Sequence, residues 1–495
     1  MFLKMIHGFL LSLILLMITP GISLGVHELG VGFGETYKGE KYAESLDQLG
    51  VSNIHINVWW GDVEPVKGQY DYSKIDSFLT NLPINTTALM RISARKNTWG
   101  TKFGNVPVEL GVDGDFYKFV YNVVCRTQGR VAFFENEWEA DCTKKHWEGT
   151  AEEYAEMSII FCQAVKAANP NAKVILGVAN GTLGLCKSFT VDVLDYLAVN
   201  QPQSFDYFDI HLYNVNTSQL YDIPERILYF RELLDSYAVF SGKPIVTTEY
   251  GGPTPNEFAY VDMQKFADLT TEIETDILIL ANDLSSTPLH PEGYPDQFRM
   301  FAYGLEKEPW LDVKRDRIMG KQLVQRTMLA LSGGVEKVYW WRLADSYLSG
   351  KNLDFVKHPV FGKLSLTSAQ QDGLLSPNPT FYSYQKMSEY LNNAKSVTRL
   401  PENNPDVYLF QVVRSDDTIC YVLWERRDQY DGEGNQSVSH IVATTWSSVS
   451  VSDVFGNMRE EKAVDGKIDL ALTDVPLFLT EFTPDIKPPA MFCLF

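Results

Sequence analysis

The sequence has few basic residues compared with acidic ones, and the resulting negative charge limits the classes of molecule that the protein can bind. It contains 43 lysines and arginines against 63 aspartates and glutamates, which gives a formal net charge of −20 at pH 7. A charge of this sign repels nucleic-acid phosphates and anionic lipids. The sequence therefore predicts no nucleic-acid partner and favours a neutral or cationic one.

The sequence also lacks the short motifs of the common metal, nucleotide and serine-hydrolase sites. Its eight histidines and six cysteines form no His-x-x-x-His or Cys-x-x-Cys pattern, which argues against a zinc site. Neither a Gly-x-Ser-x-Gly nucleophile motif nor a P-loop is present. We therefore expect no metal and no organic cofactor.

Long apolar runs are scarce as well. The run Phe9–Ile18 is shorter than the roughly 20 apolar residues that a bilayer requires. Lys4 precedes it, and Pro20-Gly21 and then Ser23-Leu24-Gly25 follow, the last with the small residues that signal peptidase accepts. This pattern predicts a removed signal peptide over residues 1–25 and a secreted, periplasmic or extracellular protein that is free of the membrane after cleavage, with a retained anchor as the alternative. In such a protein the cysteines permit disulfides, whose pairing the sequence leaves open.

What the sequence does have, from residue 26 to 393, is an alternation of short apolar runs with longer stretches of 3.6-residue periodicity. The helical stretches include Ala151–Ala168, Pro224–Ala238 and Tyr382–Asn393. The predicted strands are Leu29–Gly34, Asn53–Trp59, Thr87–Ile92, Arg130–Phe134, Lys173–Val178, Tyr207–Leu212, Pro244–Thr248 and Lys337–Trp341. This order predicts an α/β fold, a (β/α)8 TIM barrel. A doubly wound open sheet is the competitor, but no glycine-rich turn follows the first strand.

Two further segments complete the predicted organisation. The long stretch from Tyr250 to Glu336 exceeds an ordinary βα connection, and we expect it to wall one side of a cleft. From residue 394 to 495 alternating apolar runs replace the helical pattern and predict an accessory antiparallel β-sandwich domain. Its predicted strands are Val407–Val413, Thr418–Glu425, His440–Thr445, Val449–Phe455, Ile468–Leu472 and Leu477–Phe482.

Two carboxylates follow predicted barrel strands. Glu137 ends the fourth strand and Glu249 ends the seventh. Because active sites of these barrels lie where the strands end, and strands four and seven face each other across the mouth, both side chains can enter one cleft. A carboxylate pair about 5–5.5 Å apart supports retaining glycoside hydrolysis. Glu257, in a proline-rich loop, follows an asparagine in the same way as Glu137 but has no strand before it.

Other strand ends carry residues suited to a sugar site. His211 and Tyr213 follow strand six and could hydrogen-bond the nucleophilic carboxylate. Arg91 ends strand three and could contact a substrate hydroxyl or brace a carboxylate. Trp340 and Trp341 end strand eight, and an indole face suits the C–H face of a sugar ring. Strand side chains alternate, so one of these two must point outward, and the sequence does not say which.

These residues resemble those of clan A of the retaining glycoside hydrolases, and in particular its β-xylosidase, cellulase and β-galactosidase branches. The matching motifs are Glu135-Asn136-Glu137, Asp209-Ile210-His211-Leu212-Tyr213, the stretch Pro244–Gly251, Tyr339-Trp340-Trp341, and Asn57–Pro65 with Gly68–Tyr72. The resemblance implies that Glu137 is the acid/base, Glu249 the nucleophile and Asn136 a partner of the sugar 2-hydroxyl. It also implies that His211 or Tyr213 supports the nucleophile and that a strand-eight tryptophan forms the floor of the −1 subsite.

One departure from the clan concerns Trp138. Many members have proline after the Asn-Glu pair, and this chain has Trp138. The catalytic assignment stands, but the subfamily is left open.

The function predicted from these residues is a secreted glycosidase that cleaves β-glycosidic bonds of oligo- or polysaccharides by a retaining double displacement. A non-catalytic carbohydrate-binding protein on the same barrel is the alternative, because fold and site resemblance do not prove turnover. A structural or adhesion protein with the C-terminal domain as its working module is a third hypothesis, and that domain shows no aromatic platform. The sequence leaves open the sugar, the choice between exo and endo action, and the oligomeric state.

Overall fold

A computed structural model describes most of the chain. The described residues are 27–32, 39–83, 85–142, 146–182, 187–213, 220–253, 296, 300, 309–344, 364–369 and 375–482. The predicted signal peptide, residues 1–25, and most of the long segment after Tyr250 lie outside these ranges. In the part of the chain described, no helix has the length and apolar character needed to cross a membrane.

Within the described residues, eight parallel strands close into a barrel. Each strand pairs with its neighbours in the chain, and the last pairs with the first through contacts such as Val31 with Trp340. The strands are β1 (Glu28–Gly32), β2 (Asn53–Trp59), β3 (Thr87–Ser93), β4 (Val131–Asn136), β5 (Lys173–Ala179), β6 (Tyr207–Ile210), β7 (Ile245–Tyr250) and β8 (Val335–Trp340). The predicted (β/α)8 barrel is confirmed.

Among the described residues, a long helix follows each strand and covers the outside of the barrel, and the short helix Trp60–Val63 also follows β2. The helices are α1 (Gly39–Leu49), α2 (Ser73–Asn81), α3 (Asp115–Arg126), α4 (Ala151–Ala168), α5 (Lys187–Asn200), α6 (Ile223–Asp235), α7 (Pro309–Ser332) and α8 (Pro379–Leu391). Helix α4 has the bounds predicted from the sequence, and a reciprocal pair of hydrogen bonds between Thr150 and Glu153 caps its N-terminus.

Inside the barrel, Leu89, Ile175, Val246 and Tyr339 form a buried apolar layer. Such layers draw one side chain from each of several strands. At this layer strand β1 has Gly30, which has no side chain. A Cβ at Gly30 would lie 2.5 Å from Cδ1 of Tyr339, so the glycine allows the phenol ring of β8 to fill the barrel interior.

After α8 the chain forms the predicted antiparallel C-terminal sheets. The strands are β9 (Ser396–Leu400), β10 (Val407–Val413), β11 (Ile419–Glu425), β12 (Val438–Ala443), β13 (Ser448–Asp453), β14 (Met458–Lys462), β15 (Lys467–Leu472) and β16 (Leu477–Glu481). One sheet has the order β9-β10-β11-β16-β13-β14, and the other pairs β12 with β15. Buried residues from both sheets, such as Val449 and Leu470, form one apolar cluster between them.

The C-terminal sheets pack on the barrel through α7 and α8. The ring of Tyr390 stacks on that of Phe478 with centroids 4.6 Å apart. Lys321 of α7, which is 1% exposed, donates to Asp474 at 2.6 Å and to Glu433 at 2.8 Å. These contacts hold the accessory domain against the helix layer of the barrel.

Candidate active site

Glu249 lies at the carboxyl-terminal end of β7 and is held by one donor from β3, across the barrel, and by another that follows the adjacent strand β6. Its Oε1 accepts a hydrogen bond from Nη1 of Arg91 at 2.6 Å, and its Oε2 accepts one from the Tyr213 hydroxyl at 3.3 Å. The Nδ1 atom of His211 lies 3.8 Å from the same Oε2. The structure thus brings together Glu249, Arg91, Tyr213 and His211, all of which the sequence singled out.

Arg91 also binds a second carboxylate, Glu135, with its Nε atom 2.9 Å from Oε2. Burial of Glu135 opposes its ionisation, but the charge of Arg91 and the nearby His55 outweigh burial and lower the pKa of Glu135 to about 2. The sequence did not predict that Glu135 lies beside Arg91. The position of Glu135 two residues before Glu137 could have indicated that it also enters the site, because alternate residues of a strand share a face.

Glu137 follows β4 and is fully buried, with a φ of 52°. The Ser93 hydroxyl donates to its two oxygens at 2.8 and 2.9 Å, and the backbone N–H of Ala94 donates to Oε1 at 2.8 Å. Burial nevertheless raises the pKa of Glu137 above its usual value, although the charge of Arg95 and these hydrogen bonds act in the opposite direction. The site therefore favours a protonated Glu137.

Strand β3 connects the two candidate catalytic carboxylates. Arg91 holds Glu249 and Ser93 holds Glu137, and these two β3 residues are two positions apart on the same face of the strand. Two residues of a strand span roughly 6.6 Å. Both carboxylates therefore lie against the inner face of β3 at the end of the barrel where active sites occur.

His211 is surrounded by three carboxylates. Its Nε2 lies 3.1 Å from Asp209 and its Nδ1 lies 2.8 Å from Glu139. Burial would lower the pKa of His211, but Glu249, Asp209 and Glu139 raise it well above the usual value. For Asp209, burial and the charge of Glu135 raise the pKa to about 6. These carboxylates therefore favour the charged form of His211, whose ring lies 3.8 Å from Glu249.

This cluster resembles a metal-ligand set only at first sight. Glu135, Asp209 and His211 offer ligand atoms that all lie within 4.8 Å of one another. Arg91, however, already pairs with Glu135, and the surrounding carboxylates raise the pKa of His211 and so favour the doubly protonated ring, which has no lone pair for a metal. The residues present fit an ion-pair network better than a metal site.

The structure resolves which of the two tryptophans after strand eight faces the barrel mouth. Trp340 is fully buried, and its indole N–H donates to the carbonyl of Leu364 at 3.0 Å. Trp341 is partly exposed, and its ring centroid lies 6.3 Å from that of His55 on β2. Trp341 is therefore the one placed to contact a ligand.

Asn136 is the predicted residue that lies apart from this group. Its side-chain amide donates to the Ser158 hydroxyl of α4 at 2.9 Å, and the residue is 1% exposed. The side chain points from β4 into the helix layer, as alternation with Glu135 requires. Asn136 therefore does not join the other predicted site residues, and its contact with a sugar 2-hydroxyl, which the resemblance implied, stays a prediction.

Trp138, which follows Glu137, contacts two arginines and a tryptophan around the site. The Arg91 and Arg95 guanidinium carbons lie 5.2 and 4.3 Å from the centre of its ring. Its ring meets that of Trp59 edge to face, with centroids 5.4 Å apart. Beside this pair lies a pocket of about 380 Å³, lined by Trp59, Arg95, Lys96, Gly104, Asn105 and Glu148.

Comparison with known proteins gives structural matches at low sequence identity. No protein-family model matches the sequence, and no curated protein matches it. A family 39 glycoside hydrolase from Bacteroides cellulosilyticus WH2 has a TM-score of 0.62 at 15% identity, over 93% of this chain and 81% of that one. A monomeric β-xylosidase from Caulobacter crescentus CB15 has a TM-score of 0.56 at 15% identity, over 93% and 98% of the two chains.

A family 30 enzyme gives a similar result. The catalytic domain of xylanase C from Talaromyces cellulolyticus has a TM-score of 0.56 at 11% identity, over 93% of this chain and 97% of that one. The matches cover both parts of the chain. At these identities they establish that the protein shares the fold of these glycoside hydrolases, a (β/α)8 barrel followed by antiparallel sheets.

Proposed function

We propose that the protein is a secreted, retaining glycoside hydrolase that cleaves β-glycosidic bonds of oligo- or polysaccharides. One observation carries the proposal: two buried carboxylates at the ends of β4 and β7 have opposite environments. Burial favours protonated Glu137, whereas the guanidinium of Arg91 pairs with Glu249. A glycosidase of this class needs one acid and one carboxylate at the start of the reaction.

In the proposed mechanism Glu249 attacks the anomeric carbon and forms a covalent glycosyl-enzyme. Glu137 donates its proton to the leaving-group oxygen in the same step, and then accepts a proton from the water that hydrolyses the intermediate. The two displacements give net retention at the anomeric carbon. The chemistry uses protein carboxylates alone and calls for no organic cofactor.

The neighbouring residues have positioning roles in this proposal. Arg91 and Tyr213 donate to the two oxygens of Glu249 and so fix the orientation of its carboxylate. The partly exposed ring of Trp341 provides an apolar floor for the sugar in the −1 subsite. His211 holds Asp209 and Glu139 and places a positive charge near Glu249.

Fold and composition support the proposal independently of these contacts. The structural matches include proteins described as a β-xylosidase and a xylanase. The signal-like N-terminal segment supports secretion, and the net charge of −20 is compatible with an uncharged polysaccharide partner.

The test is a hydrolysis screen that compares the wild type with Glu249→Gln and Glu137→Ala. Aryl β-glycosides and plant and microbial polysaccharides serve as substrates. We expect Glu249→Gln to abolish turnover of every substrate that the wild type cleaves. Glu137→Ala should retain more activity on aryl glycosides with good leaving groups, and azide should partly restore it by replacing the water that has lost its base.

The same screen separates the proposal from its alternative. A wild type that binds a polysaccharide, measured by affinity electrophoresis, but releases no sugar from any substrate would be a carbohydrate-binding protein. Equal losses on good and poor leaving groups in Glu137→Ala would contradict the role of Glu137 as the acid.

A further inference from the structure

We propose that the pocket beside Trp59 is the subsite for the leaving group and that it binds an uncharged sugar ring. The pocket has a volume of about 380 Å³ and is lined by Trp59, Arg95, Lys96, Gly104, Asn105 and Glu148. This inference rests on the proposed function, since it takes a glycosidic bond as the bond that is cleaved and places the pocket on the leaving-group side of that bond. It adds which residues contact the sugar that leaves.

The position of the pocket relative to the two carboxylates carries the assignment. Glu137 accepts a hydrogen bond from Asn105, and Arg95 lies close enough to influence its ionisation, so two lining residues contact or neighbour the acid/base. Glu249 is instead bound by Arg91 and Tyr213, neither of which lines the pocket. The acid protonates the leaving-group oxygen, so the sugar beside Glu137 is the one that departs.

The aromatic wall of the pocket is partly exposed and firmly supported. Trp59 is half-buried, and its ring rests edge to face on Trp138 at 5.4 Å between centroids. Lys96 places its ammonium 5.2 Å from the centre of the same ring. A rigid indole of this kind offers apolar area to the C–H face of a sugar at little entropic cost.

The polar lining fits hydroxyl groups better than a carboxylate or phosphate. Arg95 donates to the carbonyl of His146 at 2.8 Å and interacts with the charge of Glu148, and Lys96 pairs with Asp62 at 2.9 Å, so carboxylates already offset both cations. Glu148 places a carboxylate in the same pocket. Hydroxyls can donate to Glu148 and accept from Arg95 or Lys96, whereas an anionic ring would meet the charge of Glu148.

The test compares two substrates that differ only in whether a sugar occupies the leaving-group subsite. Glycosyl fluorides leave this subsite empty, because fluoride is small and needs little protonation. Matching β-linked disaccharides of glucose, xylose and galactose fill it. For Trp59→Ala we expect kcat/KM to fall about 10- to 100-fold on the disaccharide cleaved by the wild type and to stay within about 2-fold on the corresponding fluoride.

Two further variants serve as controls. Trp59→Phe keeps an aromatic wall and should recover most of the disaccharide activity. Trp310→Ala removes a tryptophan that is 49% exposed at the start of α7, and both substrates should be turned over normally. Transfer from the fluoride to an added free sugar gives a second readout, since an acceptor sugar would occupy the same subsite, and Trp59→Ala should lose this transfer product.

The outcomes separate this inference from the proposed function. Loss of fluoride and disaccharide turnover in equal measure in a folded Trp59→Ala, or no loss on either, would overturn the subsite assignment while leaving the glycosidase in place. A wild type that hydrolyses neither class of substrate would overturn the proposed function itself.

Discussion

At the scale of single residues, strand β3 gives the two candidate catalytic carboxylates different hydrogen-bond partners. Arg91 shares its positive charge between Glu249 and Glu135, whereas Ser93 supplies a neutral hydroxyl to Glu137. Glu249 forms an ion pair with Arg91, whereas burial raises the pKa of Glu137 above its usual value. An acid and a nucleophile can therefore coexist in one cleft at one pH.

The Ser93 contact predicts a shift in the pH profile. Removing the hydroxyl in Ser93→Ala takes a donor from the ionised form of Glu137, so the pKa of Glu137 should rise further. In the proposed mechanism activity requires protonated Glu137 and is lost as pH rises through that pKa, so the alkaline limb of kcat/KM should move to higher pH. The shift should be on the order of one unit, because a hydrogen bond to a charged group contributes about 1.5–3 kcal/mol and one pKa unit is about 1.4 kcal/mol.

A serine far from the site provides the control for this measurement. Ser439 is an exposed residue of β12 that donates to Asp469. Ser439→Ala should leave the pH profile unchanged. An alkaline limb that moves to lower pH in Ser93→Ala would contradict the assignment of Glu137 as the acid.

At the scale of elements, the sequence predicted the barrel because each strand is a compact apolar run with a polar end. Strand β2 has the predicted bounds, Asn53–Trp59, and β4 extends two residues beyond the predicted end, to Asn136. That extension places Glu135 inside the barrel and Asn136 outside it. The chain pattern could locate the carboxylates at strand ends but could not tell which neighbour each one contacts, since those contacts join residues such as Arg91 and Glu249 that are distant in sequence.

Two C-terminal strands were not predicted, and their composition explains why. Strand β14, Met458–Lys462, is an edge strand with mostly exposed charged residues. Strand β9, Ser396–Leu400, forms the opposite edge and buries little of its surface. Edge strands often carry charge to prevent pairing with other molecules, and this charge removes the alternation on which strand prediction relies.

The close approach of β1 and β8 leads to a stability prediction. Gly30→Ala would place a methyl group 2.5 Å from the Tyr339 ring, which is fixed in the interior layer of the barrel. Overpacking of this kind costs about 1–3 kcal/mol, so the free energy of unfolding measured in urea should fall by that amount. Gly111→Ala is the matched control, because nothing lies within 4 Å of the added methyl group. Equal stability of the two variants would show that β1 can move away from β8.

At the scale of the whole molecule, α7 joins the barrel to the C-terminal sheets. Its residues from Ile318 to Leu331 are buried on all sides. A helix on the outside of an isolated barrel would expose a polar face, but this one packs on the barrel with one side and meets Asp474 and Glu433 with the other. The accessory domain therefore contributes to the stability of the barrel.

This interface predicts an unequal response to two lysine substitutions on the same helix. Lys321→Met leaves Asp474, which is fully buried, without its cation, and such a loss costs about 3–5 kcal/mol. Lys314→Met breaks an exposed contact with Asp431 and should cost less than about 1 kcal/mol. Urea unfolding of both variants measures the difference. Similar small losses would mean that the two parts of the chain are only loosely attached.

The central claim, that Glu249 is the nucleophile of a retaining glycosidase, is tested most directly by trapping the intermediate. A 2-deoxy-2-fluoroglycosyl fluoride of the preferred sugar should slow breakdown of the glycosyl-enzyme, so the protein should gain the mass of one fluorosugar. Peptide mapping by mass spectrometry should then place the adduct on Glu249. An adduct on Glu137 or Glu135, or an active enzyme that forms no adduct and releases the inverted anomer, would contradict the mechanism.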